Sequence, residues 1–300
     1  MLQANLVSKK FDDTVALNQV SCTIPKGCIY GLVGSNGAGK STLLRLLTGI
    51  YKADGGEVLL DGMPIYDNPE AKEKIVYVSD ELYFLPGANL NRMAKLYASI
   101  YKTFSYSRLK ELQELFQLPE GKAIQTFSKG MKRQAAVILA LSAGTDYLVF
   151  DETFDGLDPI MRNLLKSLVC EDVVTRQTTV IITSHSLREL EDICDQLAML
   201  HQGGLVLESE IENLKTSLFK VQVAFHDTFD ADTFQELEVL QYTRTGSVAR
   251  LIVRGDREVT TSILKSKEPL LLDILPLTLE EVFTYELEAI GYQFPLVDEK

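Results

Sequence analysis

The stretch Gly34-Ser35-Asn36-Gly37-Ala38-Gly39-Lys40-Ser41 decides the fold of this chain. The apolar segment 28–33 precedes it, and leucines follow it at helical spacing. This order predicts a buried strand, a glycine-rich loop and the N-terminus of a helix. Glycines let the backbone close around an anion, and the N–H groups at a helix N-terminus attract phosphate. The stretch therefore predicts a nucleotide-binding site.

The residue types in this loop indicate separate roles in binding a nucleotide. Lys40 would reach the β- and γ-phosphates, and the hydroxyl of Ser41 would bind Mg²⁺. The backbone of the other loop residues would surround the phosphates. The predicted binding residues of the loop are Gly34, Ser35, Asn36, Gly37, Ala38, Gly39, Lys40, Ser41 and Thr42.

The composition of the chain disfavours several functional classes. The formal net charge is −12 over 300 residues; a nucleic-acid-binding face is usually basic, so we expect no nucleic-acid partner. The best apolar run, 135–143, is too short for a membrane span. No signal peptide is recognisable, so we expect a cytoplasmic protein that reaches a membrane only through a partner. The four scattered cysteines predict buried, reduced thiols rather than disulfides or a metal site.

Two carboxylates follow a second apolar segment. Residues 147–150 predict a buried strand that ends at Asp151 and Glu152, and open parallel sheets bind ligands at this end of their strands. Asp151 is suited to hold Mg²⁺ directly or through water, and Glu152 to orient and deprotonate an attacking water. The alternative is a strand that ends in a solvated acidic turn. The phosphate-binding loop in the same chain favours the first interpretation.

A third motif lies between these two features. Residues 126–134 precede a strongly helical stretch, and Ser128 is suited to be its N-cap. The segment resembles the signature of the ATP-binding cassette (ABC) ATPases, usually Leu-Ser-Gly-Gly-Gln. Here Phe127, Lys129 and Met131 replace Leu, the first Gly and Gln, whereas Ser128 and Gly130 are kept.

The resemblance implies how this signature works. In the family, the signature of one subunit closes over ATP that the other subunit holds, which assigns a trans role to Ser128, Lys129, Gly130 and Met131. A helix N-terminus with the Ser128 hydroxyl would meet the exposed side of the γ-phosphate. Lys129 would add a positive charge there.

Two further motifs follow the paired carboxylates. Residues 155–159 resemble the D-loop of the family, and Asp158 is also suited to be a helix N-cap followed by proline. A predicted strand over 178–184 leads to His185, which the resemblance makes the histidine that senses the γ-phosphate. Ser186 and Glu189 predict a capping box just after it.

Two residues outside these motifs complete the predicted site. Phe11 matches the aromatic that stacks on adenine in the family; the alternative is an ordinary strand aromatic. Residues 74–80 resemble the Q-loop, which normally ends in Gln, whereas this chain has Asp80. A carboxylate can still contact Mg²⁺ or its water, so the predicted metal ligands are Ser41, Asp80 and Asp151. The alternative for Asp80 is a solvated acid at a strand end.

The rest of the chain predicts a helical region and a C-terminal domain. Two amphipathic helices are expected over 89–116; in the family, such a helical subdomain docks a membrane permease. Alternating apolar segments after Lys215 predict a small βαββαβ sandwich. A last helix begins at a capping box, Thr278 with Glu281, and its apolar face is expected to be a contact surface. That face carries Val282, Phe283 and Leu287.

These observations and the resemblance together predict an α/β fold of the P-loop NTPase, ABC-type ATPase class. It would have a parallel-sheet core, an antiparallel β subdomain, a helical subdomain and a small α+β C-terminal domain. The predicted nucleotide-binding domain is 1–215, and the regulatory or dimerisation domain is 216–300.

The resemblance implies an ATP-hydrolysing subunit of an ABC transporter that uses ATP and Mg²⁺. It would form a homodimer or pair with another ABC ATPase, and would drive an integral membrane permease from the inner face of the cell membrane. Asp80 and the altered signature resemble those of Gram-positive exporters for peptides, antibiotics or similar compounds. The alternatives are a soluble ABC ATPase of translation or repair without a permease, and a non-hydrolysing ATP sensor. Glu152 and His185 disfavour the sensor.

Overall fold

The computed structural model describes residues 1–154 and 157–289. The described strands are β1 Leu2–Phe11, β2 Thr14–Ile24, β3 Ile29–Val33, β4 Gly55–Leu60, β5 Met63–Pro64, β6 Ile75–Val78, β7 Tyr147–Phe150, β8 Thr179–Ser184, β9 Gln196–His201, β10 Gly204–Glu210, β11 Leu218–Ala224, β12 Glu238–Thr245, β13 Val248–Arg254 and β14 Leu271–Pro276. The described helices are α1 Lys40–Leu47, α2 Pro69–Lys72, α3 Leu90–Ile100, α4 Tyr106–Leu115, α5 Lys129–Ala143, α6 Pro159–Arg176, α7 Leu187–Glu191, α8 Ile211–Ser217, α9 Arg257–Lys265 and α10 Leu279–Ala289. No described helix is long and apolar enough to cross a bilayer.

The chain divides into two compact units after Glu208. The boundary predicted at Lys215 falls inside helix α8, which belongs to the second unit. The division into 1–215 and 216–300 stays a prediction about which segments form independent domains.

A largely parallel sheet forms the centre of the first unit. Its described strands have the order β10-β9-β3-β8-β7-β6, and the strands from β9 to β6 in that order run parallel to their neighbours. All residues of β3, β7 and β8 are buried, as expected where both faces of a parallel sheet are covered. The parallel strands end at one edge, which brings the glycine loop, Asp151 and His185 to the same side of the sheet.

A second, antiparallel sheet of the first unit has the strand order β2-β1-β4-β5, which confirms the predicted antiparallel subdomain. Helix α1 is buried in a core shared with residues of both sheets. Its four leucines, at 1% exposure or less, are Leu43, Leu44, Leu46 and Leu47. Burial of each such side chain stabilises the fold by about 1.5–3 kcal/mol. The glycine loop therefore leads into a firmly packed helix.

The predicted helical region is present as α3 and α4. Met93, Leu109 and Leu112 are buried, whereas Leu96 and Ile100 are exposed. Most but not all of its apolar side chains therefore serve the packing of the helices.

The second unit contains the predicted order of strands. Its sheet has the order β12-β13-β11-β14, and all neighbouring strands are antiparallel. The first helical stretch, between β11 and β12, is present as a short 3-10 helix, Ala231–Phe234. Asp230 and Thr233 cap this helix by reciprocal side-chain hydrogen bonds, and β12 begins at Glu238.

The last described helix, α10, confirms one sequence prediction and contradicts another, and the predicted burial of the cysteines needs one correction. The capping box that begins α10 is present, with Glu281 and Thr278 bonding each other's backbone N–H at 2.9 and 3.2 Å. Its apolar residues Val282, Phe283 and Leu287 are at most 4% exposed, so the prediction that they form a contact surface is wrong; they pack inside the fold. All four cysteines are free, but Cys170 is exposed rather than buried.

Candidate nucleotide site

The glycine loop packs tightly against the neighbouring strand β9. A Cβ on Gly34 would lie 2.4 Å from the carbonyl oxygen of Leu200, so only glycine fits there. Gly37 and Gly39 have φ values of 81° and 106°, which side chains disfavour. These glycines permit the tight path that ends at the first residue of α1.

The N-terminus of α1 lacks a competing cap. Gly39 is the N-cap residue and contributes no side-chain hydrogen bond, and no acid lies in the first turn. The N–H groups and the positive helix end are therefore available to an anion. The Lys40 side chain is 4% exposed; its amine donates to the Gly34 carbonyl at 2.7 Å and lies 3.4 Å from a Glu152 oxygen. The loop has the charge and the donors that triphosphate binding requires.

Asp151 lies at the floor of the site and is 1% exposed. One carboxylate oxygen accepts hydrogen bonds from Ser41 at 3.2 Å and Thr183 at 2.8 Å. The other accepts from the Tyr77 phenol at 2.8 Å. All three donors are neutral, and no ion pair to Asp151 is found within 1–154 and 157–289. A buried carboxylate without a cation is costly, so this site fits a metal cation.

The protein oxygens around Asp151 suit magnesium in particular. Ser41 and Asp151 supply hard oxygen ligands, which Mg²⁺ prefers. Across the described part of the chain, no group of three or more His, Cys, Asp or Glu residues surrounds a metal position. Mg²⁺ would thus bind through these two residues, water and the phosphates of the nucleotide, its usual arrangement in such enzymes.

Glu152 and His185 follow neighbouring strands. Glu152 has a φ of 47°, in the left-handed region that few side chains adopt, and its N–H donates to the Thr183 hydroxyl at 2.8 Å. His185 follows β8 directly and is exposed. Glu152 and His185 therefore follow the ends of the adjacent strands β7 and β8, at the edge of the sheet where Asp151 lies.

The predicted capping box after His185 is wrong. Ser186 is the N-cap residue of α7 but makes no side-chain cap bond. Ser184 accepts from the Ser186 N–H at 3.0 Å and donates to Glu189 at 3.1 Å. Glu189 also pairs with Arg162 of α6 at 2.8 Å. Both ends of the expected box are therefore held by other partners.

Phe11 is at the end of β1 and is 40% exposed. Its ring meets the Tyr51 ring edge-on, with centroids 5.4 Å apart, and the Lys9 amine is 5.4 Å from its centroid. An exposed aromatic supported in this way is suited to stack on a base.

The signature lies at the start of α5. Ser128 is its N-cap and accepts from the Met131 N–H at 3.3 Å, as the sequence predicted. Ser128 and Lys129 are exposed, whereas Gly130 and Met131 are half-buried. Asp158 similarly caps α6 through the N–H groups of residues 160 and 161. The first two residues of the predicted D-loop, Asp155 and Gly156, lie outside the described residues.

Asp80 has a partner that the sequence did not indicate. Its carboxylate accepts from the Arg133 guanidinium of α5 at 2.7 Å. Of the three predicted metal ligands, Ser41 and Asp151 therefore contact each other, whereas Asp80 forms an ion pair with Arg133.

Sequence reasoning missed two side chains that contact Asp151. Thr183 is fully buried near the end of the apolar strand β8, and Tyr77 lies on β6, the neighbour of β7. A hydroxyl near the end of a buried parallel strand was the available signal for Thr183.

Known proteins resemble most of the chain. The sequence profile of the family described as ABC transporter matches residues 17–155. The ABC transporter ATP-binding protein YtrB of Bacillus subtilis (strain 168) is 32% identical over 283 residues, covering 94% of this chain and 97% of YtrB. The chain belongs to the ABC transporter ATP-binding proteins. This ABC ATPase is the ATP-hydrolysing subunit of an ABC transporter, in a family that uses ATP and Mg²⁺ and pairs with membrane permeases.

Two other relatives support the same family. The lantibiotic transport ATP-binding protein SrtF of Streptococcus pyogenes is 30% identical, over 75% of this chain and 98% of SrtF. A solved structure of the ATP-binding subunit of an ABC transporter shares 25% identity with a TM-score of 0.67, covering 72% of this ABC ATPase and 92% of that chain. The predicted α/β ABC-type fold and ATPase class are confirmed.

Proposed function

We propose that this ABC ATPase drives an exporter of peptides, antibiotics or similar compounds, as a homodimer or with a second ABC ATPase. It would sit at the inner face of the cell membrane, bound to its permease. Named relatives support the substrate class, since SrtF is a lantibiotic transport protein. The observation that carries the ATPase function is the buried carboxylate of Asp151, which contacts Ser41 of the phosphate-binding loop and pairs with no cation among the described residues.

Nucleotide binding is assigned to one face of the first unit. The backbone of Gly34 to Thr42 and the Lys40 amine would hold the phosphates, because they offer donors beside an uncapped helix N-terminus. Phe11 would stack on adenine. Mg²⁺, when bound at Ser41 and Asp151, would neutralise charge that develops on the phosphates.

Hydrolysis is assigned to Glu152 and His185. Glu152 would orient a water molecule and accept its proton, since its carboxylate lies beside the Lys40 amine where the γ-phosphate is expected. His185, exposed at the adjacent strand end, would hydrogen-bond the γ-phosphate. Through this bond, His185 would sense whether the γ-phosphate is present.

The second half of each site would come from the other subunit. The signature residues Ser128, Lys129, Gly130 and Met131 begin a helix whose cap is exposed, so an incoming γ-phosphate would find a positive helix end. Asp158 would act in the D-loop between the two sites. ATP would thus join two subunits, and hydrolysis would release them.

The contact of Asp80 with Mg²⁺ or its water stays a prediction. The carboxylate is about half exposed and is paired with Arg133. Exposed pairs of this kind are worth about 0–1 kcal/mol, so the pair does not by itself prevent the carboxylate from turning toward the metal.

The transport function is tested by isolating the ABC ATPase from detergent-solubilised membranes of its own cells. We expect an integral multi-span protein to co-purify, and its complex to hydrolyse ATP faster when a peptide antibiotic that it exports is added. Deletion of the gene should sensitise the cells to that compound. Recovery with ribosomes or DNA instead, with no membrane protein, would contradict the proposal.

A further inference from the structure

The second carboxylate oxygen of Asp151 has a hydrogen-bond donor that lies outside the nucleotide-binding motifs. Ser41 and Thr183 both bind one carboxylate oxygen, whereas Tyr77 alone donates to the other, at 2.8 Å. The Tyr77 phenol is thus the only hydrogen-bond donor to that oxygen in the described residues. This bond therefore adds a third restraint on a carboxylate whose last torsion would otherwise vary broadly.

Strand register brings the phenol to Asp151. Strand β6 runs parallel to β7, with Tyr77 opposite Val149 and Val78 opposite Phe150. The N–H of Asp151 continues this ladder by donating to the Val78 carbonyl at 2.9 Å. The backbone on either side of the Tyr77–Asp151 bond is therefore held by sheet hydrogen bonds, and the two side chains meet without a flexible loop between them.

We propose that Tyr77 is a positioning residue for magnesium: its phenol holds one carboxylate oxygen of Asp151, so that the other oxygen faces Ser41. The inference rests on the proposed function, because it takes Ser41 and Asp151 as the metal ligands. Partners that orient a metal ligand typically change metal affinity by about 10- to 100-fold when they are removed. No nucleotide contact is assigned to Tyr77.

The test compares Tyr77→Phe with the wild type in the binding of a non-hydrolysable ATP analogue, with saturating Mg²⁺ and with excess EDTA. The readout is the Mg²⁺ factor, which is the Kd of the analogue in EDTA divided by its Kd with saturating Mg²⁺. We expect Tyr77→Phe to lower this factor by about tenfold and to leave the affinity in EDTA unchanged. Tyr66→Phe is the matched control, because Tyr66 is exposed; its factor should equal that of the wild type.

Three results would contradict the inference, and they distinguish failure of the positioning role of Tyr77 from failure of the proposed metal site. A wild-type factor in Tyr77→Phe would overturn the positioning role. Weaker binding in EDTA as well would also overturn it, since Tyr77 would then act on the nucleotide or the fold. A wild-type protein that binds the analogue equally well with and without Mg²⁺ would refute the proposed metal site itself, and the inference with it.

Discussion

Glu152 projects its side chain from a backbone conformation that few residues other than glycine adopt, with φ at 47°. Such strain costs about 1–3 kcal/mol and is kept where the surrounding structure enforces it. Here the Thr183 hydroxyl holds the Glu152 N–H at 2.8 Å. We expect Glu152→Gln to retain ATP binding and to lower hydrolysis by about 10²–10⁴-fold, because an amide cannot accept the proton of the attacking water. Steady-state phosphate release and nucleotide titration measure the two effects.

The control for this variant is Glu120→Gln, which makes the same chemical change at an exposed position. It should hydrolyse ATP at the wild-type rate. Unchanged turnover in Glu152→Gln would remove Glu152 from the role of general base.

At the scale of elements, the ion pair between Asp80 and Arg133 connects the loop after β6 to helix α5 at 2.7 Å. Two roles of Asp80 predict different results. If Asp80 contacts Mg²⁺ or its water, Asp80→Ala should raise the Mg²⁺ concentration for half-maximal hydrolysis. Losing a bond to a charged group costs about 1.5–3 kcal/mol, so the expected rise is about tenfold or more. Arg133→Ala removes the ion pair but keeps the carboxylate, and should leave the Mg²⁺ requirement unchanged.

Mg²⁺ titrations of both variants decide between the roles. If both variants raised the Mg²⁺ concentration for half-maximal hydrolysis by the same factor, Asp80 would act through Arg133 on the helix that carries the signature. A wild-type Mg²⁺ requirement in Asp80→Ala would remove Asp80 from the metal site.

At the scale of the whole molecule, the proposed composite sites predict complementation between two inactive proteins. Ser128→Arg should bind ATP, because Lys40 and Ser41 are intact, but should not hydrolyse it. Lys40→Ala should fail to bind ATP. A mixture of the two should regain part of the hydrolysis, since one mixed dimer contains one undamaged site.

The control mixes Ser128→Arg with the double variant Ser128→Arg, Lys40→Ala, in which every site is damaged; it should stay inactive. If the first mixture were equally inactive, the trans arrangement would be contradicted.

The second unit offers another prediction at this scale. A chain that ends at Glu210 keeps β10 complete and retains Glu208, which accepts from the Tyr30 hydroxyl at 2.6 Å. We expect it to fold and to bind ATP with near-normal affinity, because the predicted phosphate ligands precede the cut. Turnover or dimer lifetime should change, since an appended unit can bias closure without contacting phosphate. Loss of ATP binding in a folded truncation would show that the second unit is integral to the nucleotide site.

The sequence alone determined the features that depend on neighbouring residues. The glycine loop and α1, the strand that ends at Asp151, and the caps at Ser128 and Asp158 all follow from short-range geometry. Each is specified within one strand, turn or helix, where side-chain period and capping chemistry act locally. The succession of strands and helices along the chain of the second unit was predictable for the same reason.

Only the tertiary structure decided which distant side chains meet. Tyr77 and Asp151 are 74 positions apart, and Arg133 lies 53 positions after Asp80. The register of parallel strands and the packing of α5 create these contacts, and no local pattern encodes them. The same holds for Ser184, which replaces the predicted cap of α7, and for Phe283, which is buried rather than exposed. The partners available to a polar side chain, and the burial of an apolar one, depend on segments that only folding brings together.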